Sequence, residues 1–457
     1  MNTKETFIIE GLAGEKKLSG EVRINGAKNA ALKAMTAAVL FDGQTTLENM
    51  PDTDDIHTMV EILKKLGATV EWESAGEVGR ERKALLIDAS KIGSAHINAE
   101  LAKTMRASVV LTGPMLARFH KVTFPAPGGC VIGARPIDLF TEGYKKMGAA
   151  VSLNDADCLY NMAAPGHLKG TEIFFEKISV GATETLMMAA VLADGKTTLK
   201  NCAMEPEIGN VAEWLNSCGA HIAGIGTPIL EIEGTGGRLL SPQKPFVTIP
   251  DRIEAGSFLI LGALCAKDLV IKDCRPDHLE SVISALKDSG VPISVAMGAH
   301  GDGKNGEIRI TGNTKPNSSF KAFNVRTQEY PGFPTDLQAP MVAYLTQATG
   351  ESSVLETIFE GRFKYVGDLS NMGADIDSIN PREILVKGPT PLRRSSDDKG
   401  LSAHDIRAGF AVVLAALTGK GRFKISNIHL IDRGYEKLEE RLKALGADIE
   451  RKNSASS

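Results

Sequence analysis

Residues 56–70 read Ile-His-Thr-Met-Val-Glu-Ile-Leu-Lys-Lys-Leu-Gly-Ala-Thr-Val and carry three signals in succession. The apolar side chains recur at the spacing of an amphipathic helix. Gly67 stands where a helix commonly ends in a left-handed residue, and the β-branched residues after it favour a strand. The stretch therefore predicts a surface helix that ends at a glycine and leads into a strand.

This pattern recurs along the whole chain. Six glycines that follow helical stretches each have Val or Ile three residues later, and they are 71 to 83 residues apart. Self-similarity at a nearly constant period is the signature of a repeat architecture. The sequence therefore predicts six repeats, marked by Gly67, Gly148, Gly219, Gly290, Gly373 and Gly446.

Most repeats also contain a second helical stretch, which is apolar on all sides. A helix of this kind is stable when it is buried in the centre of a domain. The predicted repeat is a buried helix, a strand, a surface helix and another strand. The predicted fold class is α/β (α+β), with buried parallel helices and surface sheets, an inside-out α/β barrel. The buried stretches are Ala30–Leu40, Thr183–Leu192, Ala255–Cys265 and Ala408–Leu417.

Six repeats cannot surround one centre, so two similar domains of three repeats each are expected. We predict one domain over 22–245, ending near a Pro-Gln-Lys-Pro segment, and a second formed by 1–21 and 246–457. Parallel buried helices would aim their N-termini at one face, and helix N-termini favour anions. The active site is therefore expected in the cleft between the two domains.

Composition excludes several classes of protein. A formal charge of −4, with two Trp and six Tyr in 457 residues, argues against a nucleic-acid-binding protein. No apolar run approaches the roughly 20 residues that span a bilayer, and the N-terminus has no signal-peptide core, so no membrane association and a cytoplasmic location are expected. Six scattered Cys and the absence of a close His pair in the sequence argue against a metal site or a disulfide framework.

Two nucleotide-binding motifs are also excluded. The chain has no P-loop sequence. Residues 301–306 match G-x-G-x-x-G, but strand-like runs stand on both sides, whereas a dinucleotide site requires a helix to follow. We interpret this segment as a hairpin turn.

Charged residues stand at the predicted starts of the buried helices. For any one of them, and for Asp336 in particular, simple helix capping is the alternative interpretation. Residues 125–136 form a Gly- and Pro-rich loop in which Cys130 lies close to Arg135 in sequence, and a nearby cation makes a thiol more reactive. The other five Cys are expected to be structural. The charged positions are Lys28, Arg106, Lys177, Arg252, Asp336 and Arg407, and Arg433 stands just before the last surface helix.

Five motifs in this order, spread from about Gly11 to Arg451, resemble the enolpyruvyl transferase family. They are Asn25–Leu32, Thr104–Ser108, Pro127–Pro136, Pro331–Asp336 and Ile431–Glu436. The resemblance implies transfer of the enolpyruvyl group of phosphoenolpyruvate to the 3′-hydroxyl of UDP-N-acetylglucosamine, with release of phosphate. That reaction is the first committed step of peptidoglycan synthesis. No metal, cofactor, nucleic acid or membrane partner is implied.

The resemblance also assigns roles to residues. Asp336 would be the base, and Cys130 the general acid on a lid that closes over the sugar nucleotide, with Lys28 and Arg407 also catalytic. Phosphoenolpyruvate would be bound by Lys28, Asn29, Arg135, Arg407 and Arg433. UDP-N-acetylglucosamine would be bound by Arg106, Arg135, Pro136, Ile137, Asp138, Leu139, Lys177, Ile178, Ser179, Val180, Asp336 and Ile358.

The chain departs from the family pattern at two positions, and two alternatives stay open. Phe140 stands where His is common beside the uracil site, and Lys33 where Pro is common. The alternatives are the sister enzyme that acts on shikimate 3-phosphate and a non-catalytic sugar-nucleotide-binding paralogue. Joint retention of Cys130, Lys28, Asp336 and Arg407 argues against the paralogue, because a protein that only binds needs to keep only the sugar contacts.

The role of Cys130 can be tested by substitution. Cys130→Asp should turn over because it keeps an ionisable acid, whereas Cys130→Ser should be severely slowed because a hydroxyl is too weak an acid to protonate carbon. The resemblance implies that the epoxide antibiotic fosfomycin alkylates Cys130. Phosphate release and mass spectrometry after epoxide treatment measure both effects. An adduct on another Cys, or a Ser variant as fast as the parent, would assign Cys130 a structural role.

Overall fold

A computed structural model describes residues 5–75, 82–126, 137–154, 156–297, 305–311, 320–394 and 400–453. The predicted lid residues Cys130, Arg135 and Pro136 lie outside these ranges. By its contacts the chain divides into two compact units, with limits at 25/26 and 249/250, a few residues after the predicted domain limits. We call the described residues of 26–249 the middle unit and those before 26 and after 249 the terminal unit.

The middle unit has three buried helices, surrounded by surface helices and three sheets among the described residues. The buried helices are Lys28–Ala37, Thr112–Phe119 and Val180–Val191. The other helices are Asp54–Leu66, Ala99–Thr104, Asp138–Lys146 and Pro206–Ser217, with 3₁₀ turns at Ala38–Leu40 and Arg106–Leu111. In spatial order the sheets are Phe246–Val247, Gln44–Glu48, Arg82–Asp88 and Thr69–Ala75; Lys121–Pro125, Leu159–Ala163 and Ala150–Asn154; and His221–Ala223, Ile229–Glu233, Lys196–Lys200 and Glu172–Phe174.

The terminal unit repeats this plan. Its buried helices are Arg252–Cys265, Gln338–Leu345 and Ile406–Thr418. The other helices are Glu280–Asp288, Val366–Asn371, His429–Asp432 and Leu438–Ala444, with 3₁₀ turns at Pro276–Leu279 and Thr335–Leu337. The sheets described here are Leu401–Ser402, Arg422–Ser426, Glu5–Glu10 and Ile449–Asn453; Ile293–Met297, Gly306–Thr311, Ala266–Cys274 and Leu18–Arg23; and Val325–Arg326, Gly350–Leu355, Glu383–Gly388 and Asp375–Asn380.

The predicted six-repeat architecture is confirmed. All six marker glycines have a positive φ, between 90° and 111°, and Gly67 ends the Asp54–Leu66 helix as predicted. Each unit has its own apolar core, built around its three buried helices. Strands such as Lys196–Lys200 alternate buried and exposed residues, so each sheet covers the helices with one face. The described strands form six separate open sheets and close no barrel.

Contacts between helices show that the buried helices pack in parallel. In the terminal unit, Phe258 meets Phe410 with ring centroids 6.2 Å apart, and two turns later Cys265 Sγ lies 3.6 Å from Thr418 Oγ1. Because both positions advance along the chain together, these two helices run in the same direction.

The middle unit shows the same arrangement. Lys33 Nζ lies 2.8 Å from Glu184 Oε2, and one turn later Thr36 Oγ1 lies 3.7 Å from Met188 Sδ. The Lys28–Ala37 and Val180–Val191 helices are therefore parallel, so their N-termini lie at the same end of the unit.

Two features of the repeat were not predicted. In the first five repeats the strand after the marker glycine continues into a hairpin, as in Thr69–Ala75 paired with Arg82–Asp88, so these repeats contain one more strand than expected. In the sixth repeat that strand, Ile449–Asn453, pairs with the first strand, Glu5–Glu10. The apolar pattern does not reveal the buried helices of the second and fifth repeats, for which only the starts at Arg106 and Asp336 are predicted, because each helix follows a 3₁₀ turn and has Pro in its first turn. Pro114 and Pro340 are tolerated there because the first amides of a helix need no partner within it.

Two further sequence interpretations concern single segments. The runs on either side of 301–306 pair as antiparallel strands, as a hairpin requires, although residues 301–304 lie outside the described ranges. Among the described helices none is both long and apolar enough to cross a membrane.

Lys33 and Glu184 form an ion pair inside the middle unit, and both side chains are more than nine-tenths buried. Burial raises the pKa of Glu184 to about 7, because desolvation outweighs the attraction of Lys33. A buried pair is expensive to break and gives little net stability over apolar residues of similar size. The Lys33→Met and Glu184→Leu single variants should each lose about 3–5 kcal/mol of unfolding free energy, and the double variant should be at least as stable as the parent.

The free energy of unfolding should fall as the pH rises, because the pKa of Glu184 is raised in the folded chain. Glu184 holds its proton more tightly in the folded chain than in the unfolded chain, so its contribution to stability is complete below about pH 4.5 and is lost as the pH rises through 7. Relative to the double variant, the parent should therefore lose about 3 kcal/mol over that interval. Urea unfolding at pH 5 and pH 8 measures both effects. Additive losses in the double variant would contradict the prediction.

Candidate functional site

The carboxylate of Asp336 is held by an arginine, and it does not cap a helix. No side chain caps the Thr335–Leu337 turn or the Gln338–Leu345 helix that follows it. Instead, Arg362 Nη2 donates to Asp336 Oδ1 at 2.8 Å, and Nη1 donates to the carbonyl of Thr335 at 2.8 Å. The capping interpretation of Asp336 is therefore not supported by the structure.

A second carboxylate extends this network. Thr335 Oγ1 donates to Glu356 Oε2 at 2.8 Å, and Glu356 Oε1 accepts from the backbone amides of Ile358 and Phe359 at 2.9 and 3.0 Å. Glu356 is 1% exposed, so these bonds are shielded from water. Ile358, a predicted sugar-nucleotide contact, and Asp336 are thus positioned by one set of hydrogen bonds.

Arg407 approaches Asp336 from the neighbouring helix. It is the second residue of the Ile406–Thr418 helix, whose N-cap Asp405 accepts from the amides of Arg407 and Ala408. Arg407 Nε lies 3.9 Å from Asp336 Oδ2, and the guanidinium lies 5.0 Å from the centre of the Tyr435 ring. Only 5% of Arg407 is exposed.

Both arginines carry donors that are not used by the described residues. Nη1 of Arg407 and Nε of Arg362 are buried and have no hydrogen-bond partner in that part of the chain. A buried N–H without a partner costs free energy, and a charged one costs more. Donors of this kind at a cationic site suit an anionic ligand, which would accept their hydrogen bonds.

The charges at this site are maintained by neighbouring groups. Burial alone would lower the pKa of Arg362, but the carboxylates of Asp336 and Asp405 raise it above its usual value. Burial raises the pKa of the Tyr435 hydroxyl, against the lowering effect of Arg407. Arg362 is therefore cationic and Tyr435 is neutral at physiological pH.

Arg433 lies in a turn that is packed against the start of the Ile406–Thr418 helix. Tyr435 is fully buried, stacks on Phe410 at 4.7 Å, and its hydroxyl lies 2.7 Å from Ser257 Oγ. A Cβ on Gly434 would lie 2.7 Å from Ile406 Cγ2, so a side chain at this position would collide with the helix. The turn therefore holds Arg433 near the N-terminus of the Ile406–Thr418 helix, where Arg407 also lies.

In the middle unit, Lys28 is the first residue of a buried helix, as predicted. Its Nζ lies 2.8 Å from Asp55 Oδ2, and Lys28 and Asp55 are 7% and 4% exposed. Asn29 follows and is partly exposed. The helix has no acidic residue in its first turn, so its N-terminal amides and Lys28 both favour an anion.

The predicted sugar-nucleotide residues of this unit lie at the starts of other helices. Ser179 caps the Val180–Val191 helix by accepting from the amide of Ala182 at 3.2 Å, with Lys177 exposed and Ile178 partly exposed before it. Asp138 begins a helix, is exposed and is preceded by the buried Ile137. Leu139 is partly exposed, and so is Arg106, which begins the Arg106–Leu111 turn.

Phe140 is buried and packs against the start of the Val180–Val191 helix. A Cβ on Gly181 would lie 3.1 Å from Phe140 Cζ, so the ring lies directly against the backbone there. At this position, where the family commonly has His, the chain places an apolar ring that cannot donate a hydrogen bond.

The cysteines differ from expectation at one position. Cys202, Cys218, Cys265 and Cys274 are buried, but Cys158 is exposed in the turn of a hairpin. Burial raises the pKa of Cys202 and Cys265 to about 11, which keeps these thiols protonated at neutral pH. Cys158 is therefore the described thiol that an alkylation experiment must distinguish from Cys130.

Sequence reasoning missed Arg362. It is 9% exposed and binds the predicted base, yet it lies in a loop and not at a helix start, so the charge pattern did not single it out. The apolar surroundings of Phe359-Glu-Gly-Arg362-Phe were the one local signal available. Among the described residues no cluster of three or more His, Cys, Asp or Glu side chains is arranged to hold a metal ion. The arrangement places the carboxylate of Asp336 beside two buried cations, Arg362 and Arg407.

The sequence is similar to those of known enzymes over nearly its whole length. A profile of the family described as EPSP synthase (3-phosphoshikimate 1-carboxyvinyltransferase) matches residues 12–442. The UDP-N-acetylglucosamine 1-carboxyvinyltransferase of Koribacter versatilis is 43% identical over 98% of this chain and 96% of its own. The enzyme of the same name from Desulforapulum autotrophicum is 40% identical over 96% of this chain and 98% of its own.

Solved structures show the same fold. The enolpyruvyl transferase NikO from Streptomyces tendae matches with a TM-score of 0.85 and 25% identity, over 99% of this chain and 100% of that one. EPSP synthase from Acinetobacter baumannii matches with a TM-score of 0.70 and 17% identity, over 98% of this chain and 100% of that one. The chain therefore belongs to the enolpyruvyl transferases, in the family of UDP-N-acetylglucosamine 1-carboxyvinyltransferases.

Proposed function

We propose that the protein transfers the enolpyruvyl group of phosphoenolpyruvate to the 3′-hydroxyl of UDP-N-acetylglucosamine and releases phosphate. The observation that carries this proposal is Asp336, held by Arg362 at 2.8 Å and approached by Arg407 at 3.9 Å. A carboxylate base beside two buried arginines suits a reaction between a hydroxyl and a substrate with both a phosphate and a carboxylate. The full-length relatives that bear this activity in their names support it.

The reaction has two stages, addition and elimination. In the first, the 3′-hydroxyl gives its proton to Asp336, its oxygen bonds to C2 of phosphoenolpyruvate, and Cys130 protonates the methylene carbon C3. The product is a tetrahedral ketal. In the second, the bond between C2 and the phosphate oxygen breaks, C3 returns a proton to a base, and the double bond forms again.

Cations stabilise the charge that moves in these steps. The unused donors of Arg407 and Arg362 can bind a carboxylate or phosphate, and the planar guanidinium suits either group. Lys28, Asn29, Arg135 and Arg433 complete the proposed phosphoenolpyruvate contacts. Preorganised charge of this kind is commonly the largest contribution to catalysis.

The sugar nucleotide is proposed to bind at the helix starts of the middle unit and at Ile358. The contacts are Arg106, Arg135, Pro136, Ile137, Asp138, Leu139, Lys177, Ile178, Ser179, Val180 and Asp336. A role in peptidoglycan synthesis, and through it in cell shape and division, in the cytoplasm, with inhibition by fosfomycin, is part of the same proposal.

A second acceptor is favoured by one observation. The description of the matching family names 3-phosphoshikimate, the acceptor of the sister enzyme. Phosphate release from phosphoenolpyruvate, measured with each acceptor in turn, separates the possibilities. Activity with UDP-N-acetylglucosamine is expected. Activity with shikimate 3-phosphate would support the sister enzyme, and binding of the sugar nucleotide without release would support a non-catalytic protein.

Replacement of Asp336 tests the base. Asp336→Asn keeps the shape and an acceptor for Arg362 but removes the proton acceptor, so turnover should fall about 10²- to 10⁴-fold in a folded protein. The matched control is Asp268→Asn, which alters an exposed carboxylate bound by both Nε and Nη2 of Arg309 in the same unit. The control should keep parental turnover. Circular dichroism and steady-state phosphate release are the measurements, and parental turnover in Asp336→Asn would place the base elsewhere.

A further inference from the structure

One arginine in the last strand of the terminal unit is bonded to three carboxylates. Arg451 donates to Asp432 through Nη1 and Nη2 at 2.9 and 2.7 Å, and to Glu439 through Nε and Nη2 at 2.6 and 3.1 Å. Nη1 also donates to Glu5 at 2.9 Å, and the guanidinium lies 5.1 Å from the Phe7 ring centre. The arginine thereby joins the first strand, the last strand and the segment that carries Arg433.

Asp432 is the member of this network that bears on the proposed site. It is the last residue of the short His429–Asp432 helix, and Arg433 follows it directly. The bidentate bond from Arg451 fixes the carboxylate of Asp432 in both distance and angle, as forked arginine–carboxylate pairs do. The backbone on the N-terminal side of Arg433 is therefore anchored.

The backbone on the other side of Arg433 is anchored as well. Two residues on, Tyr435 is fully buried between Phe410, Arg407 and Ser257. With an anchor on each side, the direction in which Arg433 leaves the backbone is set by the two contacts together. Removing one anchor would free the turn to rotate about the other.

Arg451 also matters electrostatically. An Asp432 without a cation would be an uncompensated negative charge next to Arg433 in the chain and would disfavour an anion bound there. Arg451 is bonded to both of its oxygens and so gives Asp432 a cationic partner, which it shares with Glu5 and Glu439. The hydrogen bonds that Arg451 donates to Asp432 and Glu439 in turn raise the pKa of Arg451 above its usual value, so this cation is permanent.

We propose that Arg451 is a positioning residue for Arg433: through Asp432 it fixes the backbone from which Arg433 extends and so orients that guanidinium toward the anionic substrate. This inference rests on the proposed function, in which Arg433 binds phosphoenolpyruvate. It predicts a selective defect in phosphoenolpyruvate binding from a residue that touches no substrate.

The experiment compares variants around one guanidinium. Arg451→Gln removes the cation that anchors the backbone next to Arg433, and Asp432→Asn removes the charge and one of the two acceptors of the forked bond. Arg451→Lys keeps the positive charge but lacks the planar guanidinium that binds both carboxylate oxygens. Glu5→Gln and Glu439→Gln are matched controls, because each weakens a bond to Arg451 in the same way but leaves the bond between Arg451 and Asp432 intact. Arg433→Gln shows the full effect of losing the guanidinium. For each variant the KM for phosphoenolpyruvate, the KM for UDP-N-acetylglucosamine, kcat and the melting temperature are measured.

A selective pattern is expected. Arg451→Gln and Asp432→Asn should raise the KM for phosphoenolpyruvate about tenfold, which is typical of coupled residues in one network, with a KM for the sugar nucleotide near that of the parent. Arg451→Lys should fall between the parent and Arg451→Gln. The two glutamate controls should lower the melting temperature and leave both KM values unchanged.

Two other outcomes would overturn the inference, and they can be told apart. If Arg451→Gln and Asp432→Asn only lower the melting temperature, as the glutamate controls do, Arg451 is structural and the proposed function is unaffected. If Arg433→Gln leaves the KM for phosphoenolpyruvate unchanged, the role of Arg433 fails, and its positioning with it. Should Arg451→Gln not fold, Asp432→Asn and Arg451→Lys give the same comparison.

Discussion

The parallel packing of helices that are apolar on every side is the constraint on which this structure depends. Such a helix is stable only when other elements surround it, and each unit meets that need with three buried helices covered by its own sheets. Because neighbouring buried helices run in the same direction, their N-termini lie at the same end of a unit. Charged side chains at those starts are thereby brought together, as Asp336 and Arg407 are at 3.9 Å.

The least favourable burial of charge lies at the proposed active site. Arg362 and Arg407 are nearly buried, and burying a cation is unfavourable unless it is paired and hydrogen-bonded. Asp336, Asp405 and Glu356 compensate part of that cost, yet each arginine retains a donor that the described residues do not use. A site that is incompletely satisfied without its ligand is suited to binding an anion strongly. Natural proteins tend to relax their local rules at such functional positions.

The amount of fold that could be predicted follows from how local each signal is. Helical periodicity and a C-terminal glycine act within a few residues, and so the six repeats and four of the buried helices were found from the sequence. The buried helices with Pro114 and Pro340 in their first turns escaped because the periodic stretch is short and a 3₁₀ turn precedes it. The second strand of the hairpins was not predicted, because no particular residue type marks it in the sequence.

The residues of the candidate site differ in the same way: some could be predicted from the local sequence and others could not. Lys28, Asp336 and Arg407 could be named because charged residues at the starts of apolar helices form a recurring pattern and stand in recognisable motifs. Arg362 could not, because its importance lies in a hydrogen bond to a residue 26 positions away. The pairing of Lys33 with Glu184, 151 positions apart, was equally hidden, although the departure at Lys33 was visible.

The sequence by itself thus determined the repeat, the burial of its apolar helices and the residue types available for catalysis, since hydrophobic periodicity and chain stiffness are properties of neighbouring residues. The tertiary structure alone decided which charges meet. Ion pairs such as Arg362 with Asp336, or Arg451 with Asp432 and Glu5, depend on where distant segments come together. Their strength depends on distance and burial, which only the folded chain defines.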